Sequence, residues 1–273
     1  MKPILKWVGG KKQLLPHIQK KLPNNFKTYY EVFFGGGAVF FHIKPKKAVI
    51  NDFNSELINL YKVIKANPQE LIDDLKTHVN EADYFYKIRS YDRDPIFYNK
   101  LTSVKKASRI LYLNKTCYNG LYRVNSQGQL NAPFGRYVNP KICDEENILD
   151  ISSFLNNNDI EILDLDFEKS LNNASEGDFV YLDPPYDPLT DTAAFTGYNA
   201  GGFGKPDQIR LRNICNELNE KGVKFLLSNS DTKFIRELYS DYNIDVVFAR
   251  RSINSKGEKR GEIPELLISN YNE

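Results

Sequence analysis

Cysteine and histidine are scarce, three of each in 273 residues. Cys117, Cys143 and Cys215 are too few and too scattered for a disulfide framework. His17, His42 and His78 have no metal-ligand spacing, so no metal site is expected. Long apolar runs are also missing. Nothing approaches the roughly 18 residues of a membrane span, and Met1 to Trp7 contains no signal-peptide stretch. A cytoplasmic chain with no membrane partner is therefore expected. At 41% hydrophobic and 13% aromatic, it has the material for a packed core.

Acid is missing in two places. Residues 1–30 contain seven Lys and no Asp or Glu. From Pro95 to Cys143 there are again no acids but eight bases: Lys100, Lys105, Lys106, Arg109, Lys115, Arg123, Arg136 and Lys141. Phe97, Tyr98, Tyr112, Tyr118, Tyr122, Phe134 and Tyr137 lie among them. Residues 144–183 reverse the sign with twelve acids and one Lys, and Arg250, Arg251, Lys256, Lys259 and Arg260 form a last basic run. Charge runs are often only solvated faces. Basic stretches interleaved with aromatics and amides instead point to nucleic acid, because cations neutralise phosphates and aromatics reach bases.

The apolar pattern reads as an α/β fold. Tyr29 to Phe34 is a buried strand running into Gly35-Gly36-Gly37 and an apolar stretch from Ala38 to Ile43 that can start a helix. Lys47 to Asp52 is a second strand ending in an acid, and Asn54 or Ser55 caps a helix to Ala66, ended near Pro68. Strands follow at Ile160–Leu163, Asp178–Leu182 and Val223–Leu227, with edge strands at Asp245–Ala249 and Leu266–Ser269. Residues 69–116 read as helical and 117–141 as loop or hairpin. The expected division is an α/β domain of residues 1–68 and 146–273, split by an insertion at 69–145.

A glycine turn after the first strand lets backbone approach a ligand, and an acid after the second strand suits ribose hydroxyls. Gly35 to Gly37 and Asp52 fit that arrangement, although a structural turn with a helix-capping acid fits equally. Lys6-Trp7-Val8-Gly9-Gly10-Lys11 is a second glycine turn with the sole Trp. More specific is Asp183-Pro184-Pro185-Tyr186, which follows an apolar strand. By average usage it arises by chance in roughly one chain per thousand of this length. The prolines stiffen the turn and remove two N–H donors, which leaves carbonyls facing outward as acceptors.

This D-P-P-Y tetrapeptide resembles that of amino-group DNA methyltransferases that use S-adenosylmethionine. The order of glycine turn, basic insertion and D-P-P-Y resembles their alpha group. Leu5 to Lys11, Asn51-Asp52-Phe53-Asn54, Tyr118-Asn119-Gly120-Leu121-Tyr122-Arg123 and Pro133-Phe134-Gly135-Arg136-Tyr137 resemble the Dam-type and DpnII-type adenine enzymes. Val32 departs from it, since the family has Pro there; a small change in turn geometry is expected.

The resemblance implies a Rossmann-like methyltransferase sheet with an inserted, mainly helical DNA-recognition domain. It implies methyl transfer from S-adenosylmethionine to adenine N6 in GATC. Asp183 and Pro184 would accept the amine's two N–H bonds, Pro185 would stiffen the turn, and Tyr186 would stack on a base flipped from the duplex. Cofactor residues carried over are Trp7, Lys11, Glu31, Phe33, Gly35, Asp52, Asp166, Phe167 and Asp183. DNA residues carried over are Lys6, Tyr118, Asn119, Leu121, Arg123, Pro133 and Tyr137, with Arg123 reading a guanine. Other readings are a cytosine-N4 or RNA target, a NAD-dependent oxidoreductase, and a DNA-binding protein without catalysis. A cognate restriction endonuclease and the oligomeric state are left open.

Overall fold

A computed structural model of the chain describes residues 1–189, 202–250 and 262–272. Its helices are α1 (Leu15–Lys21), α2 (Ala38–Ile43), α3 (Ser55–Ala66), α4 (Pro68–Lys76), α5 (Ala82–Arg89), α6 (Pro95–Lys100), α7 (Ser103–Thr116), α8 (Glu145–Asn157), α9 (Phe167–Ser170), α10 (Lys205–Glu220) and α11 (Lys233–Leu238). Its strands are β1 (Tyr29–Glu31), β2 (Lys47–Asn51), β3 (Asp159–Leu163), β4 (Phe179–Leu182), β5 (Lys224–Ser230), β6 (Asn243–Arg250) and β7 (Glu262–Ser269). They form one sheet in the order β3-β2-β1-β4-β5-β7-β6. The first five of these are parallel, and β7 runs antiparallel to both neighbours. This is the Rossmann-like methyltransferase architecture anticipated above.

Helices cover both faces, which is why the strands read as continuous apolar runs. Period-two alternation sorts their residues. Tyr29, Phe179 and Tyr181 join one cluster with α2, α3 and α8, while Tyr30, Val180 and Leu182 join the other with α10 and α11. Helices α4, α5 and α7, from the segment read as an insertion, bury Leu71, Phe85, Ile110 and Leu111 in the first cluster. Residues after α7 form irregular antiparallel pairings, Cys117 with Phe134 and Val124 with Leu130.

Several local expectations are refined. Asn54 is the cap of α3, accepting from the Leu57 amide at 3.1 Å. Pro68 does end the run, and it also opens α4 at the first helical position, where its missing N–H has no cost. β1 is shorter than Tyr29–Phe34, because the chain turns at Val32 toward the glycines. β7 is no edge strand: it lies between β5 and β6, pairing antiparallel with each, and β6 takes the edge. Of the basic run from Arg250 to Arg260, all but the backbone of Arg250 lies outside the described residues. Among the described residues no helix is long and apolar enough to cross a membrane.

Candidate active site

Strand order reverses between β1 and β4, and parallel sheets open a crevice at the carboxyl ends there. Glu31 and Tyr181 are register partners at that point, so Asp183 emerges two residues beyond. Lys11, itself buried, places its ammonium 2.8 Å from Asp183 Oδ1. The same Nζ donates to the Gly9 carbonyl at 2.7 Å and sits 4.5 Å over the Tyr186 ring. Ser228 of β5 donates to Asp183 Oδ1 at 2.9 Å. Burial pushes the Asp183 carboxyl above the ordinary range, and Lys11 and Ser228 pull it back part of the way.

Asp183 Oδ2 and the Pro184 carbonyl have no hydrogen-bond partner among the described residues, and neither do the backbone carbonyls of Asp183 and Tyr186. The Pro185 carbonyl, expected to face outward like its neighbour, instead accepts from Gln208 Nε2 of α10 at 2.9 Å. A proline turn removes donors, but it does not stop a neighbouring helix from supplying one. Tyr186 is anchored by its hydroxyl, which donates to Glu265 of β7 at 2.8 Å.

The glycine turn packs tightly. Gly35 has φ +51°, and a Cβ there would lie 2.9 Å from Trp7 Cδ1. Trp7 in turn stacks on Tyr122 with ring centroids 4.8 Å apart. Asp52 receives the Gly35 amide at 2.8 Å and the Asn54 amide at 2.9 Å, and burial still raises its carboxyl to about 6. Burial likewise pushes the Glu31 carboxyl to about 8, although the Tyr29 hydroxyl donates to it at 2.6 Å. Phe33 lies against Phe167 with centroids 5.3 Å apart and meets Phe203 edge-on at 5.6 Å. Asp166 has both oxygens engaged: Oδ1 caps α9 through the Glu168 amide at 3.0 Å, and Oδ2 takes Arg210 at 2.6 Å. The Arg210 guanidinium sits 4.3 Å over the Phe167 ring.

The residues carried over for DNA gather around the turn after α7. Asn119 adopts φ +58° and is exposed, and Tyr118 beside it is 58% exposed. Arg123 is exposed and uses Nε on Asn131 Oδ1 at 2.8 Å, with Nη2 3.4 Å from the Asn131 carbonyl. Pro133 and Tyr137 are exposed, and Leu121 is half-buried. Lys6 is exposed and threads beside Gly120, where a Cβ would meet its Cδ at 2.9 Å.

Not every base of the acid-poor segment faces outward. Arg109 is buried, bonded to Asp92 at 2.7 Å and to the backbone carbonyls of Ile88 and Arg89. Asp92 also accepts from the Leu130 amide, so Arg109 ties α7 to the hairpin. Lys105 pairs with Asp74, and Lys141 with Asp144 at 2.5 Å. The acids are drawn from other segments, which a local count does not see. Of the eight bases, Lys100, Arg123 and Arg136 are exposed without a carboxylate partner among the described residues.

Four supporting residues escaped the sequence reading. Asn229 of β5 donates to Gln208 at 3.1 Å and accepts from the Asp187 amide at 3.1 Å, so it braces both sides of the D-P-P-Y turn. Asn114 of α7 accepts from the Lys6 amide and donates to the Lys6 and Gly120 carbonyls. Ser228 is the third and Asn51 the fourth; Asn51 bonds Val32 and both backbone groups of Leu165. The polar run Ser228-Asn229-Ser230, fully buried at the end of a strand, was the one available signal.

Comparison with known proteins bears directly on this crevice. The family model of the D12 class N6 adenine-specific DNA methyltransferases matches residues 7–253. The Type II methyltransferase M1.LlaDCHI of Lactococcus lactis subsp. cremoris is 50% identical over 99% of this chain and 96% of its own length. The Type II methyltransferase M.MjaIII of Methanocaldococcus jannaschii is 43% identical over 99% of each chain. The DNA adenine methylase of Escherichia coli K12 is 35% identical over 96% of this chain and 93% of its own length. A match that runs from Trp7 through the D-P-P-Y turn and past β6 includes every strand but the last. This chain therefore belongs to the D12 class N6 adenine-specific DNA methyltransferases, and DNA is its substrate class.

Proposed function

We propose that the enzyme transfers a methyl group from S-adenosylmethionine to the N6 amine of adenine in GATC. The supporting observation is the fixed carboxylate at the end of β4: Lys11 and Ser228 hold Asp183 Oδ1, and Oδ2 has no partner among the described residues. An exocyclic amine has two N–H donors, which Asp183 Oδ2 and the Pro184 carbonyl would accept. Accepting both bonds favours a pyramidal nitrogen with its lone pair free to attack, and the catalytic gain is one of positioning. Tyr186, held by Glu265, offers a ring for the flipped base. Lys11 favours the ionised, accepting form of Asp183 against the burial that raises its carboxyl.

The crevice fits a nucleoside joined to an amino acid. It has a glycine turn lacking room for a Cβ, a carboxyl at the end of β2 and an aromatic pair, Phe33 and Phe167. When bound, S-adenosylmethionine supplies a methyl group on a positive sulfonium. Trp7, Lys11, Glu31, Phe33, Gly35 and Asp52 would hold it. Phe167 would flank its adenine, with Asp166 beside it, held by the Glu168 amide and Arg210.

In this reading residues 69–145 form the recognition unit. The Asn131 contacts use the Nε–Nη2 side of Arg123, leaving the outward N–H donors of its Nη1–Nη2 end for guanine O6 and N7. Lys6, Tyr118, Asn119, Leu121, Pro133 and Tyr137 would touch the duplex or fill the gap left by the flipped base. The Type II names of two relatives make a cognate restriction endonuclease the partner to look for. The test is modified-base sequencing of unmethylated plasmid DNA after incubation with protein and S-adenosylmethionine. N6-methyladenine confined to GATC is expected; methylation elsewhere would overturn the role of Arg123, and none would overturn the reading.

A further inference from the structure

We propose that Ser228 is a positioning residue for Asp183: its hydroxyl and Lys11 together fill Oδ1, which turns Oδ2 toward the target amine. The proposal rests on the reading that Asp183 accepts a hydrogen bond from that amine.

A free carboxylate rotates, and its two oxygens are equivalent. Here they are not. Oδ1 takes Lys11 at 2.8 Å and Ser228 at 2.9 Å, while Oδ2 has no partner among the described residues. The two donors come from opposite ends of the chain, one near the N-terminus and one on β5. Ser228 is fully buried on the strand beside β4, so its backbone cannot drift. Its oxygen also lies 3.1 Å from the Tyr181 hydroxyl, a group buried in the same layer. A hydroxyl has one proton. If Ser228 gives it to the carboxylate, its lone pairs accept from Tyr181, and the chain Tyr181 to Ser228 to Asp183 has one direction. The more distant Leu182 carbonyl, at 3.5 Å, is then only a neighbour.

Alanine at this position leaves Lys11 as the single anchor. Lys11 has a long, flexible stem, and it also serves Gly9 and Tyr186. The carboxylate would gain rotational freedom and lose a donor that favours its charged form. The charged and titratable groups facing Asp183 are Lys11 from the N-terminal turn, Tyr29 and Glu31 from β1, and Tyr181 and Tyr186 from its own segment, with Glu265 of β7 beside Tyr186. Of these only Lys11 opposes the burial that favours the neutral acid, and the Ser228 hydroxyl is the other group that does so; removing it makes Asp183 protonate at higher pH.

The experiment measures methyl transfer to unmethylated plasmid DNA in a single turnover, with full-length enzyme in excess of sites, from acid to alkaline pH. DNA affinity is measured in parallel. Ser228→Ala is expected to transfer about tenfold to hundredfold more slowly at neutral pH, the range for a hydrogen bond to a charged group. Its acid limb should move to higher pH, and DNA affinity should stay within about twofold. Ser228→Thr, which keeps the hydroxyl, should recover most of the rate and the original limb. An unchanged rate and limb for Ser228→Ala overturns the proposal. So does an equal, pH-independent loss in both variants, the mark of packing alone. If Ser228→Ala does not fold, Ser228→Cys, with a weak donor of similar size, is judged by the same criteria. Asp183→Asn separates the two levels: full activity in that variant removes the underlying reading. An inactive Asp183→Asn beside an unaffected Ser228→Ala removes only the positioning role.

Discussion

Asn114→Asp changes one side-chain group yet should loosen the link between the two halves of the site. Asn114 is 2% exposed and uses all its capacity: Oδ1 accepts the Lys6 amide at 3.0 Å, and Nδ2 donates to Lys6 at 2.8 Å and Gly120 at 3.0 Å. Aspartate keeps the acceptor and loses both donors. Ionised, it sets an oxygen against two carbonyls; protonated, it satisfies only one. The unsatisfied carbonyl costs about 1–3 kcal/mol. Keeping the new acid neutral at pH 7, starting from an ordinary pKa near 4, costs up to about 4 kcal/mol. Together these reach up to about 7 kcal/mol, and at roughly 2–4 °C per kcal/mol a loss of only about 3 kcal/mol already lowers Tm by about 6–12 °C. Trp7 is the only tryptophan and stacks on Tyr122, so its emission reports whether the Lys6–Trp7 segment stays docked. The variant should melt early with red-shifted emission, and both defects should shrink on acidification. A Tm within about 2 °C of the parent at pH 7 with unchanged emission would refute the reasoning.

Gly35→Ala combines a left-handed backbone, costing about 1–2 kcal/mol without glycine, with a Cβ 2.9 Å from Trp7. Calorimetry should record at least about tenfold weaker S-adenosylmethionine binding, equivalent to about 1.4 kcal/mol; unaltered affinity would count against the glycine-turn site. Gln208→Leu frees the Pro185 carbonyl and strands Asn229 Nδ2, so methyl transfer should slow about tenfold at constant DNA affinity, for about 1.4 kcal/mol. Glu31 has its carboxyl raised from 4.5 to about 8, so the folded state holds a proton that the unfolded state has released between those values. Stability falls as pH rises through that window, by up to about 1.4 kcal/mol per unit. Urea titrations should find Glu31→Gln similar to the parent near pH 4.5 and more stable at pH 8; equal stabilities at pH 8 would contradict the burial argument. Arg123→Ala should lose about 1–3 kcal/mol of discrimination at one guanine in competition binding, and uniform weakening on all sequences would make it a phosphate contact instead.

Much of the candidate site was legible because it is local. Strand periodicity, the Asn54 cap, the glycine turn and the D-P-P-Y turn each lie within a few consecutive residues, and short-range sterics and capping decide them. Four features were not legible: the exclusion of β7 from the edge, the burial of Arg109, the occupied Pro185 carbonyl and the support from Ser228. Each joins segments far apart in the chain; Ser228 reaches Asp183 across 45 residues, and Asn114 reaches Lys6 across 108. A basic residue reads the same in sequence whether it meets phosphate or a buried Asp92. By itself the sequence determined which groups stand at the carboxyl ends of the central strands. Only the tertiary structure decided which of their acceptors are already taken and which remain open, because a hydrogen bond between distant segments depends on the packed sheet that brings its partners within 3 Å.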